Sequence, residues 1–347
     1  MPFKYNIDNT VLNILSRFYE LHGAIYASLH LLPGDILKDL TEKTSELAAF
    51  AAVTKNTNLI REAGSELIQN SILSQVPIER RLYYKQYLHI LKDFKKMVVT
   101  PEFNNDFIVN LHRHVLGRDE NNAHFRTARK KLSAEYIEDG IHYTVNSEVK
   151  TSPDDIETKL ESFVEWLNAN YNSENPIILA AMTYFQIAAI HPFQRANGRM
   201  SKLLARRILY SNAIDPRLVL SIDDYFVLHQ HYYYKVIERA INSLDLTEWI
   251  EFFAKAMLHS AMQTCDLLKQ LSGGSIDIKR QRYINLTPRE IRALRIIMNE
   301  NSVSGSYIAK KLKTSRQNVH EIIKSLIDKG LIAKKGKNTG TRYVYSQ

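Results

Sequence analysis

The chain has 347 residues, 45% of them hydrophobic and 24% charged, which is enough apolar material for two or three cored domains and too much for a disordered polymer. The formal charge of +9 is unevenly placed: residues 287–347 hold 13 Lys and Arg against 4 Asp and Glu, whereas the first 286 hold 33 of each, so only the C-terminal segment has an electrostatic reason to face a polyanion. A single cysteine, Cys265, excludes intrachain disulfides and a cysteine-built zinc cluster.

The N-terminal stretch MPFKYNIDNTVLNIL lacks the basic start, apolar middle and small-residue cleavage site of a secretory signal, so a cytoplasmic protein is expected. Apolar residues at helical spacing predict helices over LTEKTSELAAFAAV (40–53) and ERRLYYKQYLHILKDF (79–94). HRH (112–114) reads as part of a half-exposed helix. The next segment, YIEDGIHYTVNSEVK (136–150), carries Asp139-Gly140 between β-prone stretches and predicts a small hairpin. Ser152-Pro153-Asp154-Asp155 then supplies a cap, a proline and first-turn acids for the helix through DDIETKLESFVEWLNANY.

PIILAAMTYFQIAAI (176–190) is the most apolar run, but Thr183 and Gln186 interrupt it and it falls short of the ~20 residues that cross a bilayer, so it predicts a central buried helix and no membrane partner. Another amphipathic helix follows over MSKLLARRILYSNAI. In HQHYYYKVIE (229–238) the tyrosines fall on different helical faces and read as packing with a polar rim. DLTE (245–248) opens the last helix of the region in the manner of a capping box, and Cys265 within that helix reads as a buried structural thiol.

Ser272-Gly273-Gly274-Ser275 breaks the helical period, and the charge balance changes soon afterwards. Residues 272–286 are therefore expected to be a linker. Beyond them TPREIRALRIIMNE, SGSYIAKKLK and TSRQNVHEIIKSLIDKG predict three helices, and LIAKKGKNTGTRYVYS two strands around a Lys/Gly/Asn loop. This order over 287–345 resembles the winged helix-turn-helix family of DNA-binding domains. The resemblance implies that Ser315, Arg316, Gln317 and Asn318 open a recognition helix at base edges, while Lys334, Lys335, Lys337 and Arg342 on the wing meet phosphates.

The densest chemistry lies in HPFQRANGRMSK (191–202), directly after the apolar helix. His191-Pro192 turns the chain and Asn197-Gly198-Arg199 falls at the N-terminus of the next helix. Free backbone N–H groups and the helix dipole favour phosphate there, Gly198 allows close approach, and Arg199 adds a charge-assisted fork. A histidine at the lip of such a site is placed to take a proton from an attacking hydroxyl.

The same twelve residues resemble the signature of the Fic/Doc family, H-x-F-x-D/E-G-N-G/K-R-x-x-R, with His191, Phe193, Asn197, Gly198 and Arg199 in register. LHRHVLG with HFR upstream, the 136–150 hairpin, SPDDIETKLESFVEWLN and DLTEWIEFF extend the likeness over roughly residues 1–262. It implies a mainly α Fic-fold core with a hairpin flap that aligns a target segment by strand addition, and transfer of AMP from ATP to protein hydroxyls. On that carry-over His191 is the general base, Phe193 a buried anchor, and Arg195, Ala196, Asn197, Gly198, Arg199 and Lys202 line the nucleotide's phosphates.

Three positions depart from the signature. Arg195 stands where the family has a metal-ligating acid, and a guanidinium has no lone pair to donate, so magnesium is not expected at the usual site. Ala196 replaces a glycine, which leaves open the transfer of another phosphate-containing group. Lys202 replaces the final arginine. EAGSELIQNSILS (62–74) further resembles the family's inhibitory helix, S/T-x-x-x-E-G/N, with Ser65 and Asn70 in place but Gln69 at the acid. The expected organisation is a helical region with the inhibitory-type helix (1–100), a Fic core (101–271), the linker and a winged helix (287–347), compatible with a homodimer. Two functions compete: a nucleotidyltransferase of weakened or altered activity coupled to DNA binding, and a catalytically impaired regulator that senses nucleotide.

Overall fold

The computed structural model describes residues 4–30, 32, 34–65, 73–98, 103–117, 123–271, 287–300, 302–336 and 341–345. Gln69, Asn70, Lys337 and the expected 272–286 linker lie outside them. The chain forms two compact units, residues 1–19 with 41–261, and 20–40 with 262–347.

Helices dominate the chain up to residue 271: α1 (Asn9–Leu29), α2 (Gly34–Val53), α3 (Thr57–Ser65), α4 (Ile78–Val98), α5 (Asn105–Leu116), α6 (Ile156–Asn170), α7 (Pro176–Ile190), α8 (Asn197–Ser211), α9 (Asp223–Leu228), α10 (Gln230–Ser243) and α11 (Thr247–Leu271). Of these, α1, α2 and α11 each have residues in both units. At the centre is α7, apolar on every side and buried over most of its length, as a helix without a polar face must be. Its start is set by Pro176 and by the Asn175 side chain, which accepts from Ile177 N. Thr183 donates its hydroxyl to Leu179 O at 2.8 Å, and Trp249 donates its indole N–H to Ala181 O at 2.7 Å, so these two buried donors are satisfied. Helices α6 and α8 pack on α7.

The hairpin is longer than its sequence suggested. Strands β1 (Lys131–Glu138) and β2 (Ile141–Glu148) pair antiparallel from Lys131↔Glu148 to Glu138↔Ile141, and Asp139-Gly140, both at positive φ, makes the turn. The sequence 131–135 lacks the aromatic density that marks 136–145, which is why it was not legible as strand. Two further expectations are corrected. Ser152 precedes a short 3-10 turn, Pro153–Asp155, and makes no side-chain cap. Asp245 caps Thr247 N at 2.9 Å, but Glu248 turns away to Arg239 at 3.0 Å, so no capping box closes. Cys265 is buried as expected. Among the described residues no helix is long and apolar enough to cross a membrane.

In the second unit α12 (Pro288–Asn299), α13 (Gly305–Leu312) and α14 (Arg316–Asp328) precede β3 (Ile332–Lys335) and β4 (Arg342–Tyr345), which pair antiparallel. Each helix begins at a hydroxyl cap: Thr287, Ser304 and Ser315 accept from Glu290 N, Tyr307 N and Asn318 N. Leu294, Ile297, Ile308, Val319, Ile323 and Leu326 form their shared core. Residues 313–315 join α13 to α14, with Lys313 in the left-handed region. This is the three-helix, two-strand winged helix expected from the sequence.

Candidate functional site

Helix α7 stops because His191 adopts a left-handed backbone, φ 52° and ψ 57°, while its N–H still reaches Ile187 O at 2.9 Å. Five residues later Ala196 is left-handed too, φ 69°, and serves as the N-terminal boundary of α8 without any side-chain cap. Each such non-glycine residue costs of order 1 kcal/mol and persists only where its surroundings enforce it. Here they do. Asn197, almost fully buried, accepts from Phe193 N at 2.9 Å and donates to Phe193 O at 2.7 Å, closing residues 193–197 into a ring. Helix α8 therefore starts at Asn197, three residues earlier than the amphipathic pattern from Met200 suggested.

Phe193 is the buried anchor expected of it, fully excluded from solvent. What covers it was not foreseen. His112, expected on a half-exposed helix, is 1% exposed, stacks on the Phe193 ring at 3.6 Å between centroids and 10° between planes, and contacts Arg195 O through Nε2 at 3.1 Å. With a carbonyl as partner, Nε2 carries the proton and donates. Burial first, then the Arg199 and Arg195 charges, hold the imidazole down to about 4 against the bond to Arg195 O that favours its charged form. The spacing of His112 from Phe107, Ile108, Leu111 and Val115, all buried on α5, was the available signal.

The His191 ring is likewise kept neutral, its pKa lowered to about 4 by burial and then by the Lys130 charge, with a smaller push from Arg126, against a hydrogen bond to the Ala188 backbone that favours its charged form. Lys130 donates to Gln194 O, and Arg126 donates Nε–H to His191 O at 2.9 Å. The imidazole is thus an unprotonated acceptor throughout the neutral range.

At the start of α8, Gly198 is exposed and a Cβ added there would meet nothing within 4 Å, so the first backbone N–H groups open onto free space. Arg195 is exposed. Arg199 lies over the Tyr83 ring at 5.0 Å with Nη1 buried and without a hydrogen-bond partner. A buried donor in that condition carries a cost that an anion relieves. Lys202, one turn further in, is differently committed: its Nζ stands 2.9 Å from Asp223 Oδ1, with the two side chains 13% and 3% exposed. That approach has ion-pair distance but not hydrogen-bond alignment, since Oδ1 has no hydrogen-bond partner. Asp223 Oδ2 takes the Ser221 hydroxyl at 3.0 Å. The next carboxylate, Asp224, is fully buried and meets His259 Nε2 at 2.9 Å.

The hairpin is moored beside this site from both sides. Ile137 N donates to Lys55 O at 2.8 Å and Asp139 pairs with Arg61 at 2.8 Å. Opposite, Tyr136 contacts His231 Nδ1 at 3.0 Å and stacks on Tyr234. These aromatic contacts, with Tyr184–Tyr233, account for the tyrosine cluster as packing with a rim. Ser65 ends α3.

In the second unit Ser315, Arg316, Gln317 and Asn318 are all exposed at the start of α14, as are Lys334, Lys335 and Arg342 on the wing. The Ser315 hydroxyl is used as the cap, and Asn318 Nδ2 donates to Thr314 Oγ1 at 3.2 Å, which leaves Arg316 and Gln317 as the extended reaching groups.

A neutral histidine in front of an open, cation-lined helix start, on an all-helical core with a moored hairpin, defines a Fic-type domain. Residues 102–209 match the Fic/DOC family and residues 284–342 the MarR family: the chain carries a Fic/DOC domain and a C-terminal MarR-family winged helix. Over 151 residues it is 30% identical to a protein adenylyltransferase Fic from Nematostella vectensis, spanning 43% of this chain and 31% of that protein, and over 156 residues 28% identical to one from Culex quinquefasciatus, spanning 43% and 28%. The match thus spans less than a third of these relatives' length. In structure the chain resembles a Fic family protein from Desulfovibrio desulfuricans G20, with TM-score 0.56 and 14% identity over 99% of this chain and 98% of that one. It also resembles Fic-1 from C. elegans, with TM-score 0.53 and 20% identity over 75% and 74%. These likenesses establish the fold.

Proposed function

We propose that the Fic domain binds ATP with its polyphosphate at the start of α8, transfers AMP to a hydroxyl of a target protein, and is coupled to DNA through the winged helix. The observation that carries this reading is the pairing of a neutral His191 with an open helix start whose Arg199 Nη1 has no partner. In the proposed step the target hydroxyl oxygen bonds to the α-phosphorus, the bond to the bridging oxygen breaks, pyrophosphate leaves, and the hydroxyl proton passes to the His191 imidazole. The backbone N–H groups at 198 and 199 and the Arg199 guanidinium neutralise phosphate charge. The adenylyl group, rather than another phosphate-containing group, is favoured by the relatives described above as adenylyltransferases.

The family's magnesium does not fit the side chains present. Residues 191–199 include no carboxylate, Asp223 is committed to Lys202 and Asp224 to His259. The same facts favour a second reading, a nucleotide-sensing regulator without transfer, because Lys202, which the resemblance assigns to phosphate, already faces a carboxylate.

Purified protein is incubated with labelled ATP and with magnesium or manganese, beside His191→Ala and Arg195→Asp. Incorporation that requires His191 supports the transferase. Nucleotide binding without incorporation, with activity appearing only in Arg195→Asp, supports the sensor and overturns the first reading. At the other end, alanine at Lys334, Lys335 and Arg342 is expected to lower the slope of log affinity for duplex DNA against log salt by about one for each phosphate no longer neutralised; an unchanged slope removes the wing from the interface.

A further inference from the structure

We infer that Arg126 is the positioning residue for His191, holding the histidine backbone in place and tying it to both roots of the hairpin. This inference rests on the reading of His191 as the base. The left-handed turn at His191 leaves the last carbonyls of α7 outside the helix ladder, where they need donors. Arg126, 3% exposed, supplies them. Its Nε donates to His191 O at 2.9 Å and Nη2 reaches Ile190 O at 3.5 Å.

The outer side of the same guanidinium faces the hairpin. Nη1 donates to Ala128 O at 2.9 Å, just before β1, and Nη2 to Thr151 O at 2.6 Å, just after β2. The backbone joins in, Arg126 N donating to Pro192 O at 2.8 Å. One planar fork thus spans three chain segments, and its partners are carbonyl oxygens. The negative end of the α7 dipole supplies electrostatic compensation for the buried cation. No other natural side chain offers that many donors in fixed directions: lysine keeps the charge but loses the fork.

A purely structural staple would be indifferent to where the imidazole points. Arg126 is not placed that way, because its bonds fall on the histidine's own carbonyl and on the residues on either side of it. Its charge also faces the ring, together with that of Lys130, and both oppose protonation. The hairpin, which the family resemblance implies aligns the target segment, is consequently referenced to the base through one side chain. A displacement of about 1 Å between such groups is enough to cost on the order of 100-fold in rate.

The test uses the full chain with Arg126→Lys and Arg126→Gln. Three quantities are measured: His191-dependent label transfer, nucleotide binding by calorimetry, and the His191 imidazole NMR signal, assigned by its loss in His191→Asn, with its pH titration. Arg126→Lys is expected to lower transfer by at least about 30-fold with nucleotide affinity within about 3-fold, because the ring closed by Asn197 is independent of Arg126. The His191 signal shifts in both variants, and its titration midpoint rises further in Arg126→Gln, where the charge is gone.

An unchanged His191 signal and midpoint in both variants, loss of transfer and binding in parallel, or failure of both variants to fold overturns the positioning role. If the native protein transfers no label, the proposed transferase fails, while the NMR comparison still decides the role of Arg126.

Discussion

Asn197→Ala separates two roles for the same side chain. The family likeness assigns Asn197 to phosphate, whereas in the fold both of its polar atoms engage the Phe193 backbone, at 2.9 and 2.7 Å, with the side chain nearly excluded from solvent. Alanine leaves the Phe193 N–H and C=O without those partners. An unsatisfied buried group costs about 1–3 kcal/mol, so the pair is worth about 2–6 kcal/mol, with the lower end applying if water enters the gap. Both tryptophans, Trp166 and Trp249, lie in the first unit, so their fluorescence during urea unfolding reports that unit. The expected result is a drop of at least ~2 kcal/mol with little change in m, and a parallel loss of ATP binding. Arg199→Ala, by contrast, removes a donor without a partner and is expected to weaken ATP binding with little loss of stability. A stability loss below about 0.5 kcal/mol in Asn197→Ala, with ATP binding abolished, would refute the ring-closing role.

Three other expectations follow from the same geometry. Ala196→Gly relieves a left-handed alanine, φ 69°, and is expected to leave the first unit unchanged or up to about 1 kcal/mol more stable by urea denaturation, glycine's greater unfolded-state freedom offsetting part of the gain. His112 has its folded pKa below its unfolded one; it therefore contributes stability that is intact above about 6.5 and declines as pH falls toward about 4, by at most ~1.4 kcal/mol per pH unit. Asp215, pushed up to about 6 by burial, acts oppositely between about 4 and 6, so the measurement is the difference between the native protein and His112→Asn, and a difference independent of pH contradicts the assignment. In the second unit Glu290 closes the Thr287 capping box and also takes Ser325 at 2.5 Å and Lys329 at 2.6 Å; these bonds outweigh burial and hold its carboxyl down to about 2. Glu290→Gln is expected to lower the winged-helix melting temperature by several degrees at pH 7, with the deficit shrinking as pH falls from about 4.5 toward 2; a constant deficit contradicts this.

Much of the architecture was legible in the sequence because it depends on short-range patterns. The helical periods, the Asp139-Gly140 turn, the three capped helices of the winged domain and the segregated C-terminal charge are each written within a few residues of where they act. So was the His191 turn: an apolar helix, a proline, and Asn-Gly-Arg at the next helix start mark the break between two helices and the helix start where a phosphate is expected.

The division of labour inside that loop was not legible. Asn197 turned inward, Lys202 met Asp223, His112 stacked on Phe193, and Arg126 spanned 65 residues to reach His191. Helical spacing tells which face of α5 is buried but not which ring it will touch, and an arginine in a loop carries no local sign that its partners will be carbonyl oxygens. Local periodicity and capping chemistry determined the elements and the place of the site. Which side chains hold the turn and which remain open to a ligand was decided only when packing brought distant donors and acceptors into a core where a buried polar group left without a partner is costly.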